Sequence, residues 1–249
     1  MARPLPADIT IGAMKLRCYL LDNTSERKFV FTPWRFDPQE RSALSAALPP
    51  DGVFVDVGAN VGIYTLTAAL LLGPAGRIVA LEPFPPAFAR LKFNIEATGA
   101  GQPEWPRIDA LQVGISNSED DRELRIDAGN LGGGSIAAGP ARFSQQGPAG
   151  TLNIPCKRLS RVLDECGIRR IDVLKIDIEG AEDLALCPFL AEAPDERLPR
   201  RLIVENSENL WKLDLRAAIT RRGYHALLRT RLNTVYAVPG PLSGRALRR

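Results

Sequence analysis

The chain has 249 residues, 45% of them hydrophobic and 24% charged, an ordinary composition for a globular protein with a sizeable core. Its net charge of +3 is carried largely by scattered arginine pairs (Arg169–Arg170, Arg200–Arg201, Arg221–Arg222) and a basic C-terminal end, not by the dense stripe typical of a nucleic-acid binder, so no nucleic-acid partner is expected. No apolar run reaches the ~18–20 residues of a membrane span and no secretory h-region follows Arg3, so a cytoplasmic protein with no membrane partner is expected. Cys18, Cys156, Cys166 and Cys187 show no CxxC spacing. With His225 as the single histidine, no Cys/His metal site is expected, and the cysteines read as reduced thiols.

In chain order, Met14 to Val30 reads as a hairpin, KLRCYLLD and RKFVF around the polar turn Asn23–Thr24–Ser25. A helix follows over Asp37 to Leu48, with Asp37 as N-cap and Pro38 at the first helical position. Residues 1–50 are thus expected to form an extension, hairpin and helix, packing on a core domain over 51–240, with 241–249 a flexible tail. From Val53 strand and helix alternate. VFVDV (Val53 to Val57) runs through a glycine turn into a helix over Tyr64 to Leu72. RIVALE (Arg77 to Glu82) precedes a helix over Pro85 to Thr98, and Ile108 to Ser116 is a third strand. The alternation then breaks: RELRI is expected to pair with TLNIPCKRL across a mobile loop at 128–150, whose seven glycines suit a lid. A helix from Ser160 to Gly167, a strand over Ile171 to Gly180, the helix AEDLALCPFL, a strand over Arg201 to Asn206, a helix over Leu213 to Arg222 and a closing hairpin complete the pattern. The expected fold is α/β, with a mainly parallel seven-stranded sheet, helices on both faces and a C-terminal antiparallel hairpin.

Four segments carry chemistry. DVGANVG, Asp56 to Gly62, joins a strand to a helix. Backbone N–H groups there can face a ligand, Gly58 and Gly62 permit close approach, and Asp56 can attract a cationic group such as the amino group of a methionine moiety. The loop also reads as a plain tight turn, and it lacks the GxGxxG of dinucleotide enzymes. Glu82, about two dozen residues after Gly58, ends the second strand where a carboxylate accepts ribose hydroxyls. In KIDIEGAE, Lys175 and Asp177 share one strand face; a structural ion pair and a catalytic pair both satisfy their need to be partnered. Glu179 and Glu182 suit the start of the following helix. Glu205, ending the strand LIVEN, falls near Asp177 if the two strands are neighbours. Together they could act as base and orienter, or as two oxygen ligands for a metal, though no further acidic or histidine partner is evident. Ser116, at the end of the third strand, is grouped with Asp56, Gly58, Asn60, Gly62, Glu82 and Asp177 as cofactor-binding.

VFVDVGANVGIYT, ALEPFPPAFARLKFNI, IDVLKIDIEGAE and LIVEN, in this order and spacing, resemble the FkbM-type methyltransferases over roughly Phe54 to Tyr236. The resemblance carries the family pattern to Asp56, Gly58, Asn60, Gly62, Glu82, Asn94, Lys175, Asp177, Glu179, Gly180, Glu182 and Glu205. The chain has Asn206–Ser207 where the family often places a histidine or another residue, and Gly132 to Ser135 resembles a family loop near the active site. The resemblance implies a Rossmann-like class I methyltransferase fold, S-adenosylmethionine as cofactor and O-methylation of a small-molecule, polyketide or glycan hydroxyl acceptor. Asp177 is then the candidate base, with Lys175 or Glu205 orienting it. RNA methylation, a non-catalytic cofactor-binding role and nicotinamide chemistry stand as the alternatives to test, and a homodimer is a further partner expectation.

Overall fold

A computed structural model describes residues 6–21, 23–127, 130–135 and 148–238. The chain opens with an antiparallel pair, β1 (Ala7–Ile11) and β2 (Met14–Cys18), turning at Gly12 with φ 59°. The second half of the expected hairpin is instead a helix, α1 (Thr24–Phe31). Asn23 is not a turn residue but the N-cap: its side chain accepts from Glu26 N at 3.0 Å, and Asn23 with Glu26 has capping-box spacing. That cap fixes the helical direction over β-favouring Phe29, Val30 and Phe31. A 3-10 turn at Pro33–Arg35 leads into α2 (Pro38–Ala47).

The core elements follow: β3 (Val53–Val57), α3 (Ile63–Ala69), β4 (Arg77–Leu81), α4 (Pro85–Gly99) and β5 (Arg107–Leu111). The expected third strand is broken after Leu111, and Gly114–Ile115 is a separate short strand, β6. As the sequence suggests, β7 (Asp121–Asp127) pairs antiparallel with β9 (Pro148–Lys157). The segment expected to be a loop also holds a strand, β8 (Asn130–Ser135), paired with β7, and β9 starts within it; residues 128–129 and 136–147 of that expectation lie outside the described residues, as does the tail 241–249. Here pairing with β7 overrides the weak strand preference of glycine. The chain continues through α5 (Leu159–Glu165), β10 (Val173–Ile176), α6 (Glu182–Glu192), β11 (Arg201–Glu205), α7 (Leu215–Arg221), β12 (His225–Arg229) and β13 (Asn233–Ala237).

The main sheet has seven strands in the order β12-β13-β11-β10-β3-β4-β5, and a second sheet runs β6-β9-β7-β8. In the main sheet β3, β4, β5, β10 and β11 are parallel, and β13 and β12 close it antiparallel. Alternation along the strands divides the core. Val53, Val55 and Val57 pack with α5, α6 and α7 on one face, while Phe54, Val173 and Ile203 face α2, α3, α4 and the N-terminal elements. Each large apolar side chain fully buried in these layers, such as Phe54 or Leu66, contributes roughly 1.5–3 kcal/mol. Strand order reverses between β3 and β10, the position where an open α/β sheet leaves a crevice beyond its carboxyl ends. No helix among the described residues is long and apolar enough to cross a membrane.

The N-terminal elements are fastened at two places. On one side Asn94, fully buried on α4, accepts from Arg17 N at 2.7 Å and donates to the Val61 carbonyl at 2.8 Å. Beside it Arg90 pairs with buried Glu26 at 2.6 Å. On the other side Glu40 of α2 accepts from Thr230 and Asn233 at the β12–β13 turn.

Candidate active site

A cavity of about 350 Å³ opens at the strand-order reversal. Its size suits a small-molecule ligand. Asp56, Gly58, Asn60, Glu82, Lys175, Asp177 and Glu205, all singled out in the sequence, line it together. Gly62 sits one turn behind and Ser116 is buried away from the wall, its amide bonded to the Lys157 carbonyl at 3.0 Å; Val113, Gly114 and Ile115 line the cavity in that region. His225 is exposed on β12, outside the cavity.

The glycine turn works differently from its simplest reading. The Gly58 and Ala59 amides donate to the Leu81 carbonyl, the Asn60 amide donates to Glu82 Oε2 at 2.8 Å, and the Gly62 amide donates to Ala59. The first three N–H groups therefore hold the turn to the end of β4, and the fourth closes the turn on itself. The glycines provide proximity: Gly58, at φ 78°, would place a Cβ 2.0 Å from the Asp177 carbonyl oxygen, and Gly62, at φ 93°, a Cβ 2.6 Å from Leu91. Asn60 holds a left-handed φ of 51° and its side chain accepts from Asn23 at 2.9 Å.

Glu82 accepts from Asn60 N on one oxygen and from Phe84 N, at 2.9 Å, on the other. Burial at the end of β4 pushes its carboxyl up to about 7, against the pull of those two amides. Asp56 is fully buried. Thr65 donates to its Oδ2 at 2.6 Å, while Oδ1 has no hydrogen-bond partner among the described residues, and burial raises its carboxyl despite nearby Lys175. Asp56 and Lys175 are register partners on adjacent strands. Lys175 donates to Asp177 Oδ2 at 3.1 Å and lies 4.8 Å from the Tyr64 ring centre. Burial alone pulls its ammonium down, but Asp177 and Asp56 together hold it above the usual lysine value. Asp177, just past β10, keeps 37% of its side chain exposed.

The turn after β10 is built by Glu182, fully buried at the start of α6. It accepts from Ile178 N at 3.0 Å, Gly180 N at 3.2 Å, Ser207 and Trp211 Nε1 at 2.8 Å. Glu179 reaches the cavity from a left-handed backbone at φ 56°. Asn206–Ser207, where the chain departs from the family pattern, holds structure: Ser207 anchors Glu182, and Asn206 bonds Thr230 and Thr234.

A model of the methyltransferase FkbM domain matches residues 56–226, more than half of the chain. The chain belongs to the FkbM methyltransferase family. S-adenosylmethionine is the cofactor of this family. The chain is 30% identical over 190 residues to the AMB antimetabolite synthetase AmbE of Pseudomonas aeruginosa, a match covering 64% of this chain and 9% of that protein. It is 30% identical over 152 residues to the 31-O-demethyl-FK506 methyltransferase FkbM of Streptomyces tacrolimicus, 54% of this chain and 58% of that one. It therefore spans under three-fifths of the second relative and a small part of the first. Among solved structures, a methyltransferase FkbM from Methylobacillus flagellatus superposes with a TM-score of 0.50 at 18% identity, over 87% of this chain and 55% of that one, and shares the fold. The cavity fits the family's cofactor on its own chemistry: a carboxylate at the end of β4, apolar lining at Val113, Ile115 and Leu124, and the buried acceptor Asp56 Oδ1 without a partner.

Sequence reasoning missed the N-terminal wall. Lys28, Asp37 and Tyr64 also line the cavity. Asp37 occupies the N-cap position of α2 but makes no cap bond. It accepts instead from Lys28 Nζ at 3.0 Å and from the Tyr64 hydroxyl at 3.3 Å. Tyr64 was within reach of the sequence, as the second residue of the helix leaving the glycine turn.

Proposed function

We propose that the protein transfers a methyl group from S-adenosylmethionine to a hydroxyl oxygen of a small-molecule, polyketide or glycan acceptor. One observation carries the reading: Glu82, the Lys175–Asp177 pair and Glu205 meet in a single cavity at the strand-order reversal. When bound, the cofactor supplies a methyl group on a sulfonium, primed for in-line displacement. Glu82 receives the ribose hydroxyls on lone pairs its two backbone amides do not occupy. Asp56, with one buried oxygen unpartnered, receives the cofactor's ammonium. An alcohol is a poor nucleophile at neutral pH, so a base must accept its proton as the new bond forms. Asp177 is that base, held in place by Lys175, with Glu205 facing the same space from β11. A relative named as an O-demethyl-compound methyltransferase supports oxygen as the accepting atom.

The test pairs calorimetry against S-adenosylhomocysteine with a methyl-transfer screen on hydroxylated acceptors. The purified protein binds S-adenosylhomocysteine; absence of any heat sinks the reading. Asp177→Asn lowers turnover ~10²-fold or more while cofactor affinity stays near wild type. Turnover unchanged in that variant removes Asp177 from the role of base.

A further inference from the structure

The Lys28–Asp37 pair lies outside the family-matched segment, yet it faces the cavity. Its geometry is not that of an incidental surface pair. Asp37 precedes Pro38, a position steered toward extended backbone, but holds φ 44° and ψ 53°. In that conformation its carboxylate does not cap α2 and reaches Lys28 and Tyr64 instead. Backbone in a sparsely populated region that directs a side chain into a cavity is a pointer to a ligand-facing role. Lys28 Nζ also lies 5.0 Å from the Phe36 ring centre, so its ammonium is held from two sides.

We propose that Lys28, oriented by Asp37, is the cation that docks the carboxylate of the cofactor's amino-acid end. The inference rests on the reading above. With the ribose at Glu82, the apolar lining of Val113, Ile115 and Leu124 suits the adenine, and the amino-acid end extends toward the head of α3, where Tyr64 carries Asp37. The other cations on the wall are poorly suited. Lys175 is already hydrogen-bonded to Asp177 and flanked by Asp56, and a third carboxylate there meets like charge. Arg231 lies on the turn between β12 and β13, at the far edge of the sheet from Glu82. Lys28 and buried, half-unpartnered Asp56 together offer one positive and one negative group to a zwitterion. Lys28 is thus a binding residue and Asp37 a positioning residue.

Two probes separate this from general damage to the site: S-adenosylhomocysteine, and 5′-methylthioadenosine, which keeps the adenosyl thioether and lacks the amino-acid carboxylate and ammonium. Calorimetry on the full chain should show Lys28→Met weakening S-adenosylhomocysteine tenfold or more, with 5′-methylthioadenosine within twofold of wild type. Lys28→Arg recovers most of the loss, Asp37→Asn gives an intermediate loss for the first probe alone, and Arg231→Met leaves the ratio of the two affinities unchanged. Unchanged S-adenosylhomocysteine binding in Lys28→Met, equal loss of both probes, or loss of the ratio in Arg231→Met overturns the assignment. Wild-type protein that binds both probes equally overturns it while leaving the proposed function standing; wild-type protein that binds neither overturns both.

Discussion

Gly58 is the residue whose replacement the site tolerates least. A methyl group there meets the Asp177 carbonyl oxygen at 2.0 Å, and the backbone φ of 78° is itself unfavourable for any L side chain. Gly58→Ala is expected to destabilise by about 2–5 kcal/mol, combining overpacking with a left-handed conformation, read as a lowered urea midpoint. Glu82 makes a prediction of a different kind. Its carboxyl lies near 4.5 in the unfolded chain and about 7 in the folded one, so between those values the folded state binds the extra proton. The stability this residue contributes is present below about 4.5 and is lost as pH rises through about 7, a change on the order of 3 kcal/mol. Urea titrations across that window should show the decline, and Glu82→Gln should flatten it. Ribose hydroxyls donate to the ionised carboxylate, so binding has the opposite slope. Affinity for S-adenosylhomocysteine should rise between pH 6 and 8 in the wild type and stay flat in Glu82→Gln.

Among the elements, α1 depends on a charge pair that the interior cannot hydrate. Glu26 has a fully buried side chain, Arg90 is nearly so, and Glu26 also accepts from Tyr19 N at 2.6 Å. Arg90→Met leaves that carboxylate buried without its cation and should cost about 3–5 kcal/mol, whereas Arg90→Met with Glu26→Gln should recover part of the loss; a double-mutant cycle in urea measures both. The elements around the cavity were legible in unequal degree. β3, β4 and β10 are short apolar runs bounded by glycine, proline or acidic residues, because strands covered on both faces have no polar side to show. Glu82, Lys175 and Asp177 were legible because they sit at the ends of those runs. α1 was misread from the β-branched and aromatic end of its sequence, although Asn23 and Glu26 carried the helix start. β8 could not be read at all, since Asn130–Ser135 is a strand through its pairing with β7. Lys28 and Asp37 carried no local sign of the cavity: their neighbour Tyr64 arrives 27 residues after Asp37 and only the folded chain joins them.

For the molecule as a whole, the cavity draws its wall from the main sheet, from the second sheet through Leu124, and from the N-terminal elements through Lys28 and Asp37. A ligand that touches all three should raise the stability of the entire fold. At a hundredfold excess over its dissociation constant, S-adenosylhomocysteine should add ~2.7 kcal/mol and lift the melting temperature by roughly 5–10 °C; a transition unmoved by saturating ligand would contradict a shared wall. The N-terminal segment lines the cavity between two anchorages, Asn94 and Arg90 on α4 at one end and the Glu40 contacts at the β12–β13 turn at the other. It resembles a belt with both buckles fastened. The stretch between Phe31 and Pro38 carries Phe36, packed on Phe29, and Asp37, which holds Lys28, so residues added there would let out the belt with both buckles fastened and move the cavity wall and its cation together.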